Sequence, residues 1–491
     1  MDLMLVGVCL AVVIWLYFSN NPMKHGAWFL IRRFINWFPL GMTYAFLYMG
    51  RYNLNVSKNA LGSLMTKEDF GLIFAAGTTT YALSFLINGP LVDKIGGKKG
   101  IIISALGAAV ANALMGVVTY LFLTGKMSFN LVITFSILYA LNMYFQSYGA
   151  VSIIKVKAYW FHVRERGIFG AIFGTLISFG VYFAFDWGQA IVDATKVAVT
   201  TGSLSIPQRI IRAVFGLDNP GAAGMDATWF VFIIPAILLV FWAIVDYLCI
   251  KDTPEEANFE AFDTHDASSG EMDKVFSVMD LLKRVFTSPI MIMLACVEFC
   301  SGVLRNGIMQ WYLIFAKELN DPGTAFFVEH WGLLLCFSGI FGSFSAGYIS
   351  DKLFYSRRGP PAAIMNFSMF ILTVIMVIFL FASPIIIGTS AVLMTFAVIG
   401  VHGLMSGTAA ADFGGRKATG TCSGIVDGFV YLGSGLQSIS LGYLTSWNWR
   451  FWPAFLVPFA ILGFFFSLKL WKALPAATKN YIRNVEHCDI S

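Results

Sequence analysis

Hydrophobic positions in this chain come as long runs rather than as alternations. Twelve of them, at 35–57, 69–92, 100–124, 129–156, 167–189, 228–250, 289–316, 327–350, 361–382, 385–411, 420–445 and 451–471, are interrupted mainly by Gly, Pro and small polar residues. A run of about 20 apolar residues at 1.5 Å rise is long enough to cross the hydrocarbon core of a bilayer as a helix. Gly and Pro inside such helices are tolerated because neighbouring helices re-satisfy the backbone. A shorter apolar run, 3–18, is preceded by Asp2 and followed by Ser19-Asn20-Asn21-Pro22. A signal peptide would place a basic flank before the run and small residues after it. The expectation is an uncleaved extra helix, in place of a signal peptide or an interfacial helix.

Charge in the connections alternates. Lys94, Lys98 and Lys99, then Lys157, Arg164 and Arg166, then Lys283 and Arg284, Lys352, Arg357 and Arg358, Arg416 and Lys417, and Lys472 and Lys479 mark every second connection, whereas the turn at Ser383-Pro384 carries no charge. The positive-inside rule makes the basic set cytoplasmic. Both ends of the twelve-helix body are then inside, and the extra helix puts Met1 outside. The expected organisation is an extra helix at 1–22, a six-helix bundle at 23–250 with an external insertion at 190–227, a flexible polar linker at 251–288, a second six-helix bundle at 289–471 and a cytoplasmic tail at 472–491. Within the insertion, Pro207–Phe215 reads as a short amphipathic helix, either a lid or a passive decoration.

An internal repeat organises these runs. Gly89-Pro-Leu-Val-Asp93-Lys94 follows the second run and Gly347-Tyr-Ile-Ser-Asp351-Lys352 the eighth. Asp93 and Asp351 are 258 residues apart, Arg51 and Arg305 are 254 apart, and Gly167 and Gly420 are 253 apart. Three landmarks at nearly one offset predict two similar halves in parallel, the layout of carriers that rock around a central site.

Composition agrees: 57% of the 491 residues are hydrophobic and 12% charged, against about 25% charged in a soluble domain. The net charge of +5 lies in short loops and is no sign of nucleic-acid binding. Seven scattered cysteines and six histidines show no disulfide or metal-site spacing. No Gly-x-x-x-x-Gly-Lys-Ser/Thr loop is present, so an ATP-driven pump within this chain is not expected. Neither a nucleophile–base set nor a cofactor motif stands out, so no enzyme is expected.

The chemistry lies in a few charges inside the apolar runs. Tyr44, Tyr48, Arg51 and Asn55 share one helical face. An arginine at the bilayer centre costs about 2.5–3.5 kcal/mol, so this face is expected to line a wet cavity and not to meet lipid. Arg305 is its counterpart in the second half. A guanidinium offers a planar fork of donors suited to phosphate or carboxylate, so the pair is the candidate anion clamp. The alternative is a structural arginine paired with an internal acid. Glu298 precedes Arg305 by seven residues, roughly 10 Å along one helix, too far for a relaxed contact. Glu298 and Asp427 could carry protons, hold a cationic part of a substrate or neutralise an empty arginine; a helix-end carboxylate reaching water is the plainer alternative. Tyr431 shares a face with Asp427, and Tyr44, Tyr48 and Tyr431 could donate hydrogen bonds to an anion or simply pack. Asp93, Lys94, Asp351 and Lys352 are expected to latch the cytoplasmic face or, failing that, to set topology.

These residues resemble the major facilitator superfamily through the duplicated turn. Within it they resemble the organophosphate:phosphate antiporters, the glycerol-3-phosphate and hexose-phosphate transporters. Matching stretches include Tyr44…Tyr48…Arg51-Tyr-Asn53, Leu304-Arg305-Asn-Gly-Ile-Met-Gln-Trp311, Trp160-Phe…Arg164-Glu165-Arg166-Gly167, Lys251-Asp-Thr-Pro254, Ser350-Asp-Lys-Leu-Phe354 and Lys417-Ala-Thr-Gly420 with Tyr431-Leu-Gly433. The resemblance implies an all-α polytopic membrane protein of major facilitator fold. It implies that Arg51 and Arg305 bind a substrate phosphate, with Tyr44, Tyr48 and Tyr431 lining the cavity, and that the metabolite exchanges for inorganic phosphate by rocker-switch alternating access. The chain departs from the pattern at Tyr52 and Phe85, where the glycerol-3-phosphate transporter pattern has lysines, and near Leu176, where it has a histidine. The expected protein is a monomeric carrier of a phosphorylated metabolite in a bacterial inner membrane, contacting lipid but no nucleic acid. A proton-coupled symporter of another organic anion and a transporter-like sensor are the alternatives.

Overall fold

The computed structural model describes residues 2–19, 21–128, 130–162, 165–197, 204–217, 226–260, 279, 283, 286–354, 357–409 and 419–473, with the backbone alone at 2–3, 166–171, 173, 351, 407–409 and 419–423. Most of the expected linker, the tail beyond 473 and the middle of the outer insertion lie outside the described residues.

The twelve runs fold as helices. The first half comprises α2 (Ala27–Leu61), α3 (Lys67–Ile95), α4 (Gly97–Leu123), α5 (Leu131–Trp160), α6 (Arg166–Tyr182), which continues through a π-turn into α7 (Gly188–Ala194), and α9 (Phe230–Cys249). The second comprises α10 (Pro289–Met309), extended by α11 (Trp311–Leu319), then α13 (Trp331–Tyr348), α14 (Gly359–Phe379), α15 (Pro384–His402), α16 (Thr419–Trp447) and α17 (Phe451–Lys469). The extra N-terminal run is α1 (Asp2–Ser19), the insertion helix is α8 (Ile206–Val214), and a short α12 (Ala325–Glu329) precedes α13. Among the described residues, nine helical stretches are long and apolar enough to cross a membrane. The other long helices, α2, α5 and α16 with 35, 30 and 29 residues, carry Arg51, Gln146 and Tyr431.

Local chemistry sets the ends. Thr66 and Asp69 form a reciprocal capping box at α3, Asn130 caps α5, and Ser383 with Pro384 starts α15. Helix α2 begins eight residues before the expected boundary, and one of the two arginines in its first turns, Arg33, is neutralised within the protein. Arg33 is buried and makes two 2.9 Å contacts with Glu165. Tyr17 of α1 bridges this pair to the backbone, accepting from Arg33 at 3.0 Å and donating to the Leu30 carbonyl at 2.9 Å.

Packing repeats across the halves. α2 lies on α5, α6 and α9 as α10 lies on α15, α16 and α17; α3–α5 corresponds to α13–α15, and α4–α9 to α14–α17. The halves then meet through two related contacts, α3 on α16 and α6 on α13. Glycines allow backbone-to-backbone approach: a Cβ on Gly302 would run into the Val430 carbonyl, and one on Gly71 into the Ser438 carbonyl.

Candidate functional site

Arg51 lies in the second half of α2 and is fully buried. A chain of amides fixes its orientation. Asn53 donates to Asn112 (2.7 Å), Asn112 to Asn142 (3.1 Å), and the Gln146 amide nitrogen also donates to Asn142 (3.0 Å). With its nitrogen engaged, Gln146 presents its oxygen to Arg51 Nε at 3.0 Å. Arg51 Nη1 donates to the Tyr431 hydroxyl on α16 at 2.6 Å. The guanidinium carbon lies 4.6 Å from the ring centres of both Tyr48 and Tyr81 and 5.4 Å from that of Tyr431. Aromatic faces stabilise a desolvated cation by roughly 2 kcal/mol or more.

Arg305, on α10, is 2% exposed. Its Nη2 donates to the Tyr48 hydroxyl at 3.3 Å, so Tyr48 lies between the two arginines, its ring against one and its oxygen against the other. Tyr44 packs edge-on against Tyr48, with 5.4 Å between ring centres. Among the described residues no carboxylate forms an ion pair with either guanidinium. Arg51 Nη2 and Arg305 Nε are buried without a hydrogen-bond partner. Two like charges held this way are costly, and an anion between them would supply the missing acceptors.

The face that carries Tyr44, Tyr48, Arg51 and Asn55 does not line an open cavity, as the sequence suggested. It is buried against the second half: Asn55 donates to the Gln310 carbonyl (3.3 Å), and Tyr52 reaches Asn306 (3.4 Å). Aromatic rings fill the space between the arginines instead. Tyr81 and Tyr431 pack there with ring centres 4.2 Å apart and planes tilted by 50°.

Glu298 does not reach Arg305. Its Oε2 meets His402 Nδ1 at 2.9 Å, and its Oε1 is buried without a partner. Asp427 accepts a short hydrogen bond from Ser406. A further buried acid, Asp246 on α9, accepts from Thr43 at 2.6 Å.

The expected cytoplasmic latch is differently connected. Asp93 pairs with Lys155 of α5 at 3.1 Å, within its own half, because α3 and α5 are neighbours there. Lys94 and Lys352 are exposed, and the Asp351 side chain lies outside the described residues. Polar contacts between halves gather at the opposite helix ends. Asp186, in the π-turn Phe183–Trp187, accepts from the N–H groups of Gly332 (2.8 Å) and Leu333 (2.9 Å), capping α13. Lys67 pairs with Glu318 at 3.0 Å and lies 4.6 Å from the Trp449 ring centre, and Lys317 donates to Gln189 at 2.7 Å. At the other end, Lys251 and Asp252 dock the start of the linker: the Lys98 N–H donates to Asp252 at 2.7 Å, and the Lys251 N–H donates to Asn36 at 2.6 Å.

Sequence reasoning missed Tyr81, Gln146, Asn142, Asn112 and His402. The amides and the histidine left a signal, since each is a polar residue within an apolar run. Tyr81 left none in so aromatic a chain.

Two repeated six-helix halves that meet at a cationic, tyrosine-lined centre define an all-α polytopic membrane protein. Residues 40–438 match the Major Facilitator Superfamily, and the chain belongs to that family. It is 22% identical over 419 residues to the glycerol-3-phosphate transporter of Bacillus subtilis, covering 83% of this chain and 84% of that one. It is 25% identical over 449 residues to the membrane sensor protein UhpC of Escherichia coli, covering 89% and 90%. Among solved structures, a bacterial homolog of the human lysosomal transporter Spinster, inward-facing and unoccupied, shares the fold with a TM-score of 0.65 and 13% identity over 90% of this chain and 97% of that one.

Proposed function

We propose that this protein is a secondary active transporter of a phosphorylated small metabolite, a glycerol phosphate or sugar phosphate, exchanged for inorganic phosphate. One observation carries the reading: two buried arginines, one from each half, meet across Tyr48 with unfilled donors and no described carboxylate partner. The names of the similar transporters support phosphate as the anionic group. Arg51 and Arg305 clamp the phosphate, and Tyr48 and Tyr431 give up their hydrogen bonds to the arginines in its favour, with Tyr44 behind them.

The same geometry is compatible with alternating access. The contacts of Asp186, Lys67 and Lys317 hold one end of the molecule shut, the end opposite the basic loops and hence the outer one by the positive-inside rule. An anion between the arginines compensates both halves at once and lowers the cost of the occluded state. Without it, two uncompensated cations oppose reorientation, which is what obligate exchange requires. Both ends of the twelve-helix body are cytoplasmic in this reading, and the working unit is one chain in a bacterial cell membrane.

The test is exchange in proteoliposomes preloaded with phosphate. Uptake of labelled glycerol 3-phosphate or glucose 6-phosphate falls at least tenfold in Arg51→Lys and Arg305→Lys, which keep the charge but lose the fork. Uptake indifferent to both substitutions overturns the clamp. Similarity to the sensor UhpC favours a second reading, a carrier-like receptor; phosphate-ester binding with no flux in the wild type would establish it.

A further inference from the structure

We propose that α8 is an interfacial membrane anchor: its apolar stripe of Ile206, Ile210 and Val214 beds into the lipid leaflet on the side away from the basic loops. The three side chains are four residues apart and so lie in one line along the helix. They are 72%, 57% and 71% exposed. The opposite face turns towards the protein, and it is the polar one. Gln208 donates to the Ala190 carbonyl at 3.2 Å. Arg212 is buried and donates to the carbonyls of Ala194 and Lys196, each at 3.0 Å, and of Leu217 at 2.9 Å. A cation on the last carbonyls of α7 is what a helix C-terminus favours. A helix packed on a protein in water buries its apolar stripe and shows its polar face. α8 does the reverse, and the Arg212 contacts, with a capping box of Ser205 and Gln208, fix it in that orientation.

The surroundings of α8 specify lipid as the occupant. α7 ends the apolar stretch Gly174–Ala194, and α9 begins another, Phe230–Cys249, both long and apolar enough to cross a membrane. α8 lies between these two ends. The Ala227 N–H donates to the Thr195 carbonyl at 3.0 Å and ties them at one level. Phe215, next after α8, packs on Phe230 with ring centres 4.4 Å apart. Phe230 heads the face of α9 that carries Ile237, Phe241 and Ile244, each more than half exposed, the lipid-facing side of that helix. Beside it Trp229 meets Tyr120 of α4 edge-on at 5.1 Å, and Lys126 donates to the Tyr120 hydroxyl at 2.6 Å. Aromatic rings with a lysine reaching past them mark the headgroup level of a bilayer. The stripe is therefore at the height of the interface and on the outside of the bundle. A lid would have to reach the second half, whereas α8 packs on α7, in the first.

The anchored element is the one that carries the lock. α7 continues from the π-turn in which Asp186 caps α13, and it bears Gln189, which accepts from Lys317. Through α8, the contacts that close this end of the molecule are held in the plane of the bilayer.

The test is spin labelling of the full-length protein in phosphatidylcholine nanodiscs, with its accessible native cysteines replaced by serine. Nitroxides are attached one at a time at Ile206→Cys, Ile210→Cys and Val214→Cys and, on the flank of the stripe, at Arg209→Cys. Power saturation compares collisions with oxygen, which partitions into lipid, and with a water-soluble nickel chelate. Oxygen dominates at the three stripe positions, at a depth of about 5–10 Å, and the Arg209 label is shallower. Nickel-dominated relaxation along the stripe would put it in water and overturn the anchor. Labels shielded from both reagents would mean that protein covers the stripe, as a lid contact or a partner, and would overturn it too. All four positions are exposed, so a variant that fails to purify leaves others to decide.

Discussion

Arg51 donates to the hydroxyl of Tyr431 across 2.6 Å, joining residues 380 positions apart in sequence and on opposite halves of the molecule. The contact occupies one guanidinium donor while Nη2 stays without a partner, so the arginine is restrained but unsatisfied. A hydrogen bond to a charged group is worth about 1.5–3 kcal/mol, and a phosphate oxygen outbids a neutral phenol for it.

Gln146→Glu tests whether Arg51 must lack an internal anion. The substitution is nearly isosteric and puts a carboxylate where an amide oxygen now lies 3.0 Å from Nε. The arginine becomes permanently paired. Affinity for phosphate falls by about 1.5–3 kcal/mol, roughly 10- to 150-fold, by isothermal titration, while the melting temperature holds or rises. Unchanged affinity would mean that Arg51 does not hold the anion.

Asp186→Asn tests the lock between halves. The side chain keeps its shape but loses the negative charge and one of two acceptor oxygens at the N-terminus of α13, where the Gly332 and Leu333 N–H groups meet Oδ1 and Oδ2 at 2.8 and 2.9 Å. A charge at a helix N-terminus is worth about 0.3–1 kcal/mol. The population open at this end rises about two- to fivefold, seen as a longer distance component between spin labels at the exposed Val197 and Phe326.

Gly302→Ala tests the close approach of α10 and α16. Its Cβ would collide with the Val430 carbonyl, backbone that cannot rotate away. Overpacking of this kind costs about 1–3 kcal/mol. The variant unfolds at lower temperature in detergent, whereas Gly125→Ala meets open space and suffers only from its φ of +67°.

Glu165 gives the fold an acid limit. Burial alone would raise its carboxyl, but the neighbouring His25, the two contacts from Arg33 and the His162 N–H pull it down to about 2. A carboxylate depressed in the folded state stabilises fully above its unfolded value of about 4.5, and loses that contribution as pH falls towards 2. The melting temperature therefore drops between about pH 5 and about pH 2, and Glu165→Gln, already less stable at neutral pH, flattens that drop.

Much of this was legible in the chain itself. Run length fixed the helices because a bilayer demands about 20 apolar residues of each span. The offsets linking Arg51 with Arg305 and Asp93 with Asp351 announced the repeat that packing then showed. The arginines stood out because a cation within an apolar run is expensive unless something compensates it.

What the sequence could not decide was who compensates whom. Periodicity places side chains on a face of one helix; it does not say which helix lies opposite. Only the folded arrangement put Tyr431 and Tyr81 against Arg51, brought the Gln146 oxygen to its Nε, gave Glu298 to His402, and paired Asp93 within its own half. Each of these is a contact between helices far apart in sequence. In a membrane, where lipid is as apolar as leucine, such contacts are set by close packing and hydrogen-bond satisfaction in three dimensions and leave no period in the chain.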